Sequence, residues 1–226
     1  MYHVFCMLKK KKTIQFDFIS IFPEVFKPYF EVGVLGKAIK KKLITIKAHN
    51  LRKWTRDKHK SVDDQPYGGG AGMVMMVEPF DKAARAVKKR GKKTRVILLS
   101  PRGKIFSQKD VPRLKRYDQL IFLCGRYSSV DERVSQLVAD EELSVGEYIL
   151  TGGELGAMII ADAVGRHIPG VVGSEVSLKG ETYTKKGHKE YPQYTRPEAY
   201  KAKKVPKVLL GGNHAEIEEW RKKHSK

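Results

Sequence analysis

Three short loops in the sequence combine glycine with residues that could bind a flat, partly polar ligand. The longest spans residues 144–155, where glycines flank Tyr148 and the apolar pair Ile149–Leu150. Glycine lets main-chain N–H and C=O groups approach a ligand closely, and the apolar side chains can cover the faces of a ring. The other two loops follow apolar runs, at Leu98–Gly103 and Leu123–Tyr127. This combination indicates a site for a nucleobase-like ring.

Short apolar runs that alternate with helical patterns must position these loops. Strands are predicted at Ile14–Ile21, Ile44–Ala48, Val96–Leu99 and Leu120–Cys124. Helices are predicted at Pro79–Arg90, Val130–Val138 and Glu154–Val164. Strands that alternate with helices favour an α/β fold with a parallel sheet, whose ligands lie at the carboxyl ends of the strands. Because the glycine loops follow predicted strands, we expect them to converge at that edge.

The composition indicates a folded protein with an anionic partner. The chain has 226 residues with 41% apolar content and a formal charge of +20, from 45 Lys and Arg against 25 Asp and Glu. Basic residues crowd residues 37–60, 82–95 and 185–207. Such blocks usually face nucleic acid or anionic membrane, the alternative being a solvated lysine-rich surface. Aromatic residues among them, such as Trp54 and Tyr194, favour RNA, whose unstacked bases pack on aromatic faces.

Other function classes lack their signatures. Cys6 and Cys124 suggest neither a disulfide framework nor a metal site. No apolar run reaches membrane-spanning length and no secretory signal precedes the fold, so a cytoplasmic protein without a membrane partner is expected. Residues 70–75 lack the third glycine of a dinucleotide fingerprint, and no phosphate-loop motif occurs. Asp63–Asp64 could hold a cation, but the adjacent glycines and methionines favour a close-packed interface.

The order of these motifs resembles the bacterial tRNA (guanine-N1)-methyltransferases, from about Ile14 onward. Besides the glycine loops, the resemblance includes Phe18–Pro23, Val62–Met73 and Tyr194–Glu198. It implies a parallel α/β sheet with a deep C-terminal trefoil knot and a small helical C-terminal domain. It also implies a homodimer with shared active sites. The implied reaction is transfer of a methyl group from S-adenosylmethionine to N1 of the guanine immediately 3′ of the anticodon, with the tRNA anticodon stem-loop as partner.

The resemblance divides the chain into four parts. Residues 1–13 are expected to form a basic N-terminal extension, and residues 14–172 the knotted S-adenosylmethionine-binding domain. Residues 173–190 are expected to form a flexible interdomain lid, and residues 191–226 a small C-terminal domain that contacts RNA.

The donor-binding positions of the family match this sequence closely. They fall on Leu99, Ser100, Pro101, Gly125, Val145, Gly146, Glu147, Tyr148, Ile149, Leu150, Gly152 and Gly153. The arginine that stabilises charge on the guanine oxygen matches Arg166. Glu181 stands where the family has the aspartate that removes the N1 proton, and its side chain is one methylene longer. Glu190 matches a second acidic position in the same segment and is the alternative base.

One further departure concerns Ser128, where the family has a glutamate. A hydroxyl cannot replace that charge toward the methionine group or a magnesium ion, so Mg²⁺ dependence is doubtful. Two alternatives stay open: a knotted relative that modifies another RNA position, and a non-catalytic RNA-binding protein that would not need the donor loops.

Overall fold

The computed structural model describes residues 12–173, 181–183, 185 and 187–226. Within these ranges the chain divides into two compact units, with the boundary after Gly173. Most of the predicted N-terminal extension, including Cys6, and the first part of the predicted lid lie outside the described residues.

The first unit is an α/β structure. Its strands are β1 (Ile14–Ser20), β2 (Ile44–Asn50), β3 (Asp63–Asp64), β4 (Val74–Met75), β5 (Thr94–Ile105), β6 (Gln119–Cys124), β7 (Ser129–Val130) and β8 (Glu141–Ser144). Its α-helices are α1 (Phe26–Phe30), α2 (Gly33–Lys40), α3 (Val77–Val87), α4 (Val111–Leu114), α5 (Glu132–Leu137) and α6 (Glu154–Gly165). Five strands form the central sheet in the order β2-β1-β6-β5-β8. Every pair in this sheet is parallel, so the carboxyl ends of all five strands share one edge.

The side chains of the two central strands build a core on each face of the sheet. In β1, Phe16 and Phe18 belong to one apolar cluster and Ile19 to the other. In β6, Phe122 and Leu123 separate in the same way. A strand covered on both faces reads as a continuous apolar run, which is why β6 is apolar from Leu120 to Cys124. The sheet is therefore a rigid base for the loops at its edge.

The predicted strands that correspond to β1, β2, β5 and β6 are confirmed. The helix predicted to run to Arg90 ends at Val87, because Lys88 takes an extended conformation. β8 was not among the predicted strands, because its first residues, Glu141 and Glu142, are charged and do not match the pattern of a buried strand. Glu141 is tolerated beside the sheet because Arg95 and Arg113 each donate to its carboxylate at 2.8 Å.

The described part of the second unit contains a two-stranded ribbon, a short 3-10 helix (Lys207–Leu209) and an α-helix. The strands and the α-helix are β9 (Ala199–Tyr200), β10 (Lys203–Lys204) and α7 (His214–His224). The side chain of Asn213 accepts the N–H of Ala215 at 3.1 Å and so caps the start of α7. Trp220 makes several of the aromatic contacts of the unit: the ring of His224 stacks on it at 4.1 Å, and Tyr194 packs edge-on. Aromatic packing thus holds this small unit together.

Candidate active site

A cleft of about 1420 Å³ opens at the carboxyl edge of the sheet. It is lined by residues 98–102 within β5, by the loops that follow β6 and β8, by the start of α6 and by residues around β3, β4 and α5. Of the twelve predicted donor positions, these ten line it: Leu99, Ser100, Pro101, Gly125, Val145, Tyr148, Ile149, Leu150, Gly152 and Gly153. Gly146 and Glu147 do not. The structure therefore brings the three glycine loops together, as their places after strands predicted.

The first loop is an excursion within β5. Leu99 and Lys104 both pair with Leu143 of β8, so the four residues between them leave the strand ladder. Gly103 closes this excursion directly against the neighbouring backbone, since a Cβ there would lie 2.6 Å from the main-chain nitrogen of Leu143. Only glycine permits this approach. The excursion brings Ser100 and the following residues to the cleft.

The loop after β6 is joined to the beginning of α6. The N–H of Gly153 donates to the carbonyl of Gly125 at 2.9 Å. A Cβ on Gly153 would lie 2.9 Å from both the Cα of Cys124 and the Cβ of Leu99. Gly153 thus lies where the loops after β5 and β6 meet, and its missing side chain is required for their contact.

Tyr148 explains the glycine at position 146. A Cβ on Gly146 would lie 2.3 Å from Cε1 of the Tyr148 ring, so the ring packs directly over this residue. The Tyr148 hydroxyl donates to the carbonyl of Val145 at 3.2 Å. Gly146 therefore contributes indirectly: it has no side chain, and this leaves space for the ring of Tyr148, which lines the cleft. The neighbouring Glu147 is exposed.

A buried ionic network lies beneath the cleft. Glu154 is 2% exposed, and its carboxylate accepts from Ser20 Oγ at 2.5 Å and from Arg126 Nε at 3.0 Å. The guanidinium of Arg126 also packs over the ring of Phe22, 4.9 Å from the ring centroid. A buried charge is tolerated when it is paired and hydrogen-bonded. The network joins the carboxyl end of β1, the loop after β6 and the first turn of α6.

The thiol of Cys124 lies at the end of β6, close to this network. Burial, with a smaller contribution from the carboxylate of Glu154, raises the pKa of Cys124 well above its ordinary value. The thiol is therefore protonated at neutral pH, and Cys124 is a packing residue rather than a nucleophile.

The cleft is also lined by residues to which the sequence analysis assigned no individual role. Arg102 and Glu132 form an ion pair at its surface, and Tyr67 and Tyr127 also line it. Tyr127 has a φ of 61°, a left-handed conformation that is uncommon for an aromatic residue. Backbone strain of this kind concentrates at functional sites. The position of Tyr127 directly after Gly125 and Arg126 was the signal in the sequence that this residue belongs to the site.

Ser128 contacts the glycine-rich segment that follows β3. Its hydroxyl donates to the carbonyl of Ala71 at 3.4 Å, and a Cβ on Gly72 would collide with Ser128 Oγ. Ser128 is thus used to pack this segment against the loop after β6. Within the residues that the structure describes, no three His, Cys, Asp or Glu side chains are grouped as a metal ion would require.

Neither of the two predicted catalytic residues, Arg166 and Glu181, lines this cleft. Arg166 caps the carboxyl end of α6, whereas the glycines of the cleft lie at its amino end. A helix of 12 residues is about 18 Å long, so the Cα of Arg166 lies far from the cleft of its own chain. Glu181 and Glu190 both belong to the second unit, where the N–H of Glu190 donates to Thr182 Oγ1 at 3.1 Å.

The fold and the cleft define an α/β protein with a large cleft at the carboxyl edge of a parallel sheet. Residues 14–226 match the family described as tRNA (Guanine-1)-methyltransferase TrmD, and the chain belongs to that family. It is 50% identical over 212 residues to the tRNA (guanine-N(1)-)-methyltransferase of Dictyoglomus turgidum, covering 94% of this chain and 85% of that protein.

Two other relatives carry the same name. The chain is 50% identical to the protein of Carboxydothermus hydrogenoformans, over 94% of this chain and 83% of the relative. It is 49% identical to that of Pasteurella multocida, over 92% of this chain and 84% of the relative. In the described part of this chain, no helix has the length and apolar character needed to cross a membrane.

Proposed function

We propose that this protein transfers a methyl group from S-adenosylmethionine to N1 of the guanine immediately 3′ of the anticodon in tRNA. The observation that carries the proposal is the convergence of ten predicted donor positions on one cleft. Family membership supports the reaction, and the charge of +20 fits a polyanionic substrate. Because tRNA is the substrate, we place the enzyme in the cytoplasm.

The residues of the cleft fit the donor. Leu99, Val145 and Ile149 offer apolar surface for the faces of an adenine ring, and the glycine loops expose main-chain groups for its polar edge. S-adenosylmethionine supplies an electrophilic methyl group when it is bound. The roles of Gly152 and Gly153 are to let the loops close on one another without a side chain between them.

The acceptor needs a base and a group that stabilises negative charge. Guanine N1 carries a proton at neutral pH, and its removal places negative charge on the O6 oxygen. We assign proton removal to the carboxylate of Glu181, with Glu190 as the alternative, and stabilisation of O6 to the guanidinium of Arg166. The extra methylene of Glu181 changes its reach by about 1 Å relative to aspartate, which the surrounding segment must accommodate.

The place of Arg166 supports an active site shared between two chains. Arg166 lies at the opposite end of α6 from the cleft of its own chain, so if Arg166 acts on the guanine, the cleft that it serves belongs to a second chain. The exposed side of α6 offers a contact surface, with Leu155 55% and Ile159 47% exposed. Large exposed apolar side chains that lie together mark association sites. We therefore propose a homodimer.

Complementation between chains tests the shared site. A Gly152→Val chain lacks a donor site and an Arg166→Ala chain lacks the oxyanion group, so each homodimer should be inactive. The mixed dimer contains one intact site and should recover activity. Persistent inactivity after subunit exchange, verified by differently tagged chains, would contradict the shared site.

The finer architecture follows the family. We propose that the loops around the cleft form the deep trefoil knot, which the closeness of Gly103 to the β8 backbone supports. The lid at 173–190 would carry the base, and the unit beyond it would contact RNA through lysines such as Lys201 and Lys203, which are exposed at the β9–β10 ribbon. Limited proteolysis with and without tRNA tests the lid, since RNA should protect this segment from cleavage.

We propose that methyl transfer does not require Mg²⁺. Ser128 stands where the family has a glutamate, and its hydroxyl brings no charge and donates to the carbonyl of Ala71. Methyl transfer in EDTA, with monovalent salt adjusted to keep the tRNA folded, should match transfer in Mg²⁺. A large loss in EDTA under those conditions would contradict this proposal.

The proposed reaction is tested with labelled S-adenosylmethionine and two unmodified tRNA transcripts. One transcript has guanine 3′ of the anticodon, and the other has adenine at that position. Only the first should accept label. Equal labelling of both transcripts would move the target elsewhere in the RNA.

A further inference from the structure

The edge of the sheet opposite the cleft carries the amino ends of the same parallel strands. The segments that lead into these strands are strongly basic: Lys40–Lys42 precede β2, Lys115–Arg116 precede β6, and residues 88–93 precede β5. Lys12 precedes β1. These four strands are neighbours in the sheet and span about 14 Å, so their basic segments form one surface. We call it the amino-edge surface.

The most basic part of this surface is the loop Lys88-Lys89-Arg90-Gly91-Lys92-Lys93, and all six residues are exposed. The helix before the loop has its charges paired: Lys82 contacts Glu78 at 2.5 Å and Arg85 contacts Asp81 at 2.8 Å. In the described part of the chain, no acidic side chain pairs with a basic side chain of the loop. The chain therefore neutralises the cations of α3 and leaves those of the loop uncompensated.

The backbone of the loop is held in a fixed conformation. The N–H of Lys89 donates to Gln119 Oε1 and the N–H of Lys93 to Asp118 Oδ2, both at 3.0 Å. The carbonyl of Lys93 accepts the N–H of Asp118 at 2.8 Å, and Gly91 supplies the left-handed turn with a φ of 69°. Asp118 is thus occupied by the backbone. A fixed backbone that carries uncompensated basic side chains is suited to contacts with phosphates.

The composition of the surface favours RNA over lipid. A segment that binds a membrane surface combines basic residues with large apolar side chains that enter the bilayer. Among the described residues, none of the large exposed apolar side chains belongs to the basic segments of this surface. A purely cationic, polar surface matches a phosphate backbone.

We infer that the amino-edge surface is a second RNA-binding surface, which contacts the phosphate backbone of the substrate tRNA outside the anticodon stem-loop. The inference rests on tRNA being the substrate. The cleft of the same chain lies at the opposite edge of the sheet. The end of α6, with Arg166, lies beside β2, since a Cβ on Gly165 would lie 3.2 Å from Ile44, and the loop at residues 88–93 precedes β5, three strands away. This loop therefore contributes to affinity and leaves the reacting groups untouched. An isolated anticodon stem-loop lacks the remote backbone that the surface contacts.

A pair of double variants with equal charge change tests this inference. Lys89→Gln/Arg90→Gln removes two uncompensated charges, and Lys82→Gln/Arg85→Gln removes two paired charges from the adjacent helix. The loop variant should bind full-length tRNA about 5- to 10-fold more weakly at low salt, with the slope of log affinity against log salt reduced by about 1 to 2. The helix variant should change affinity by less than about 2-fold.

Three controls give the inference definite outcomes. Both variants should bind a synthetic anticodon stem-loop like the wild-type protein, and the single-turnover rate at saturating tRNA should be unchanged. Equal losses in the two variants, or an equal loss of the loop variant on the stem-loop and on full-length tRNA, would overturn it. Vesicles containing phosphatidylserine provide the lipid comparison: selective loss of vesicle binding with unchanged tRNA affinity would also overturn it. Methylation of tRNA by the wild-type protein reports separately on the proposed function.

Discussion

The carboxylate of Glu154 and the guanidinium of Arg126 lie 3.0 Å apart, at the place toward which a side chain on Gly152 would project. Glu154 is buried and also accepts from Ser20 Oγ. This pair fixes the first turn of α6 against the loop after β6, and both elements line the cleft. Donor binding should therefore depend on an ion pair that the donor need not touch.

Neutralising Glu154 tests this dependence. Glu154→Gln keeps the shape and loses the charge, so we expect the KM for S-adenosylmethionine to rise about 10-fold and the free energy of unfolding to fall by about 2 kcal/mol. Affinity for tRNA should be unchanged. Glu78→Gln, which breaks an exposed pair with Lys82, should cost less than about 0.5 kcal/mol and leave the KM unaltered. A normal KM for S-adenosylmethionine in Glu154→Gln would show that donor binding does not depend on the Glu154–Arg126 pair.

Substitution of Gly152 should have a steric effect at the same place. Its Cβ would lie 2.3 Å from Arg126 Nε and 2.5 Å from Glu154 Oε2, so Gly152→Val must displace the pair and fill space beside the cleft. We expect calorimetry to show no donor binding to the folded variant. Gly173→Ala is the matched control because nothing lies within 4 Å of the added carbon. Donor affinity that survives in Gly152→Val would exclude this loop from the site.

Glu141 predicts how stability depends on pH. Burial raises its pKa, but hydrogen bonds from Arg113 and Arg95 outweigh burial and lower the pKa below the ordinary value of 4.5. A depressed carboxyl pKa contributes stability above pH 4.5, and this stability is lost as pH falls through the folded-state value. Glu141→Gln should therefore lose about 1 to 2 kcal/mol at neutral pH, a value reduced for the partly exposed Arg113.

Urea unfolding at neutral pH and below pH 4.5 measures this effect. The difference in the free energy of unfolding between the wild-type protein and Glu141→Gln should be smaller at the lower pH. Glu31→Gln, which affects an exposed pair with Lys27, should track the wild type throughout. A difference in the free energy of unfolding that stayed constant with pH would show that the charge of Glu141 does not contribute to stability.

The base is identified by comparing two isosteric variants. If Glu181 accepts the N1 proton, Glu181→Gln should lower the single-turnover rate by about 10²-fold or more while donor and tRNA affinities stay near normal. Glu181→Asp should retain more activity. A normal rate in Glu181→Gln with collapse in Glu190→Gln would move the role to Glu190, whose carboxylate accepts from Gln193 at 2.5 Å. Normal rates in both would exclude a carboxylate base.

The sequence predicted those parts of the molecule whose signals are local. β6 was predictable because six consecutive residues are buried on both faces of the sheet, and the cleft because its glycine loops follow strands. β8 was missed because the arginines that neutralise Glu141 come from other elements, and only the fold brings them together.

The ionic network beneath the cleft was not predictable for the same reason. Glu154 occurs in a glycine loop that the sequence reasoning did select, but its partner Ser20 is 134 positions away. The role of Gly146 was also hidden, because its reason is the ring of Tyr148 folded over it. Long-range pairing of polar groups leaves no periodic signal in a sequence.

The identity of the methylated atom tests the central claim most directly. Unmodified tRNA transcript is incubated with S-adenosylmethionine and the protein, digested to nucleosides and short fragments, and analysed by mass spectrometry against methylguanosine standards. The account predicts 1-methylguanosine, confined to the fragment that contains the nucleotide immediately 3′ of the anticodon. A different methylguanosine isomer, or 1-methylguanosine at another position, would contradict it.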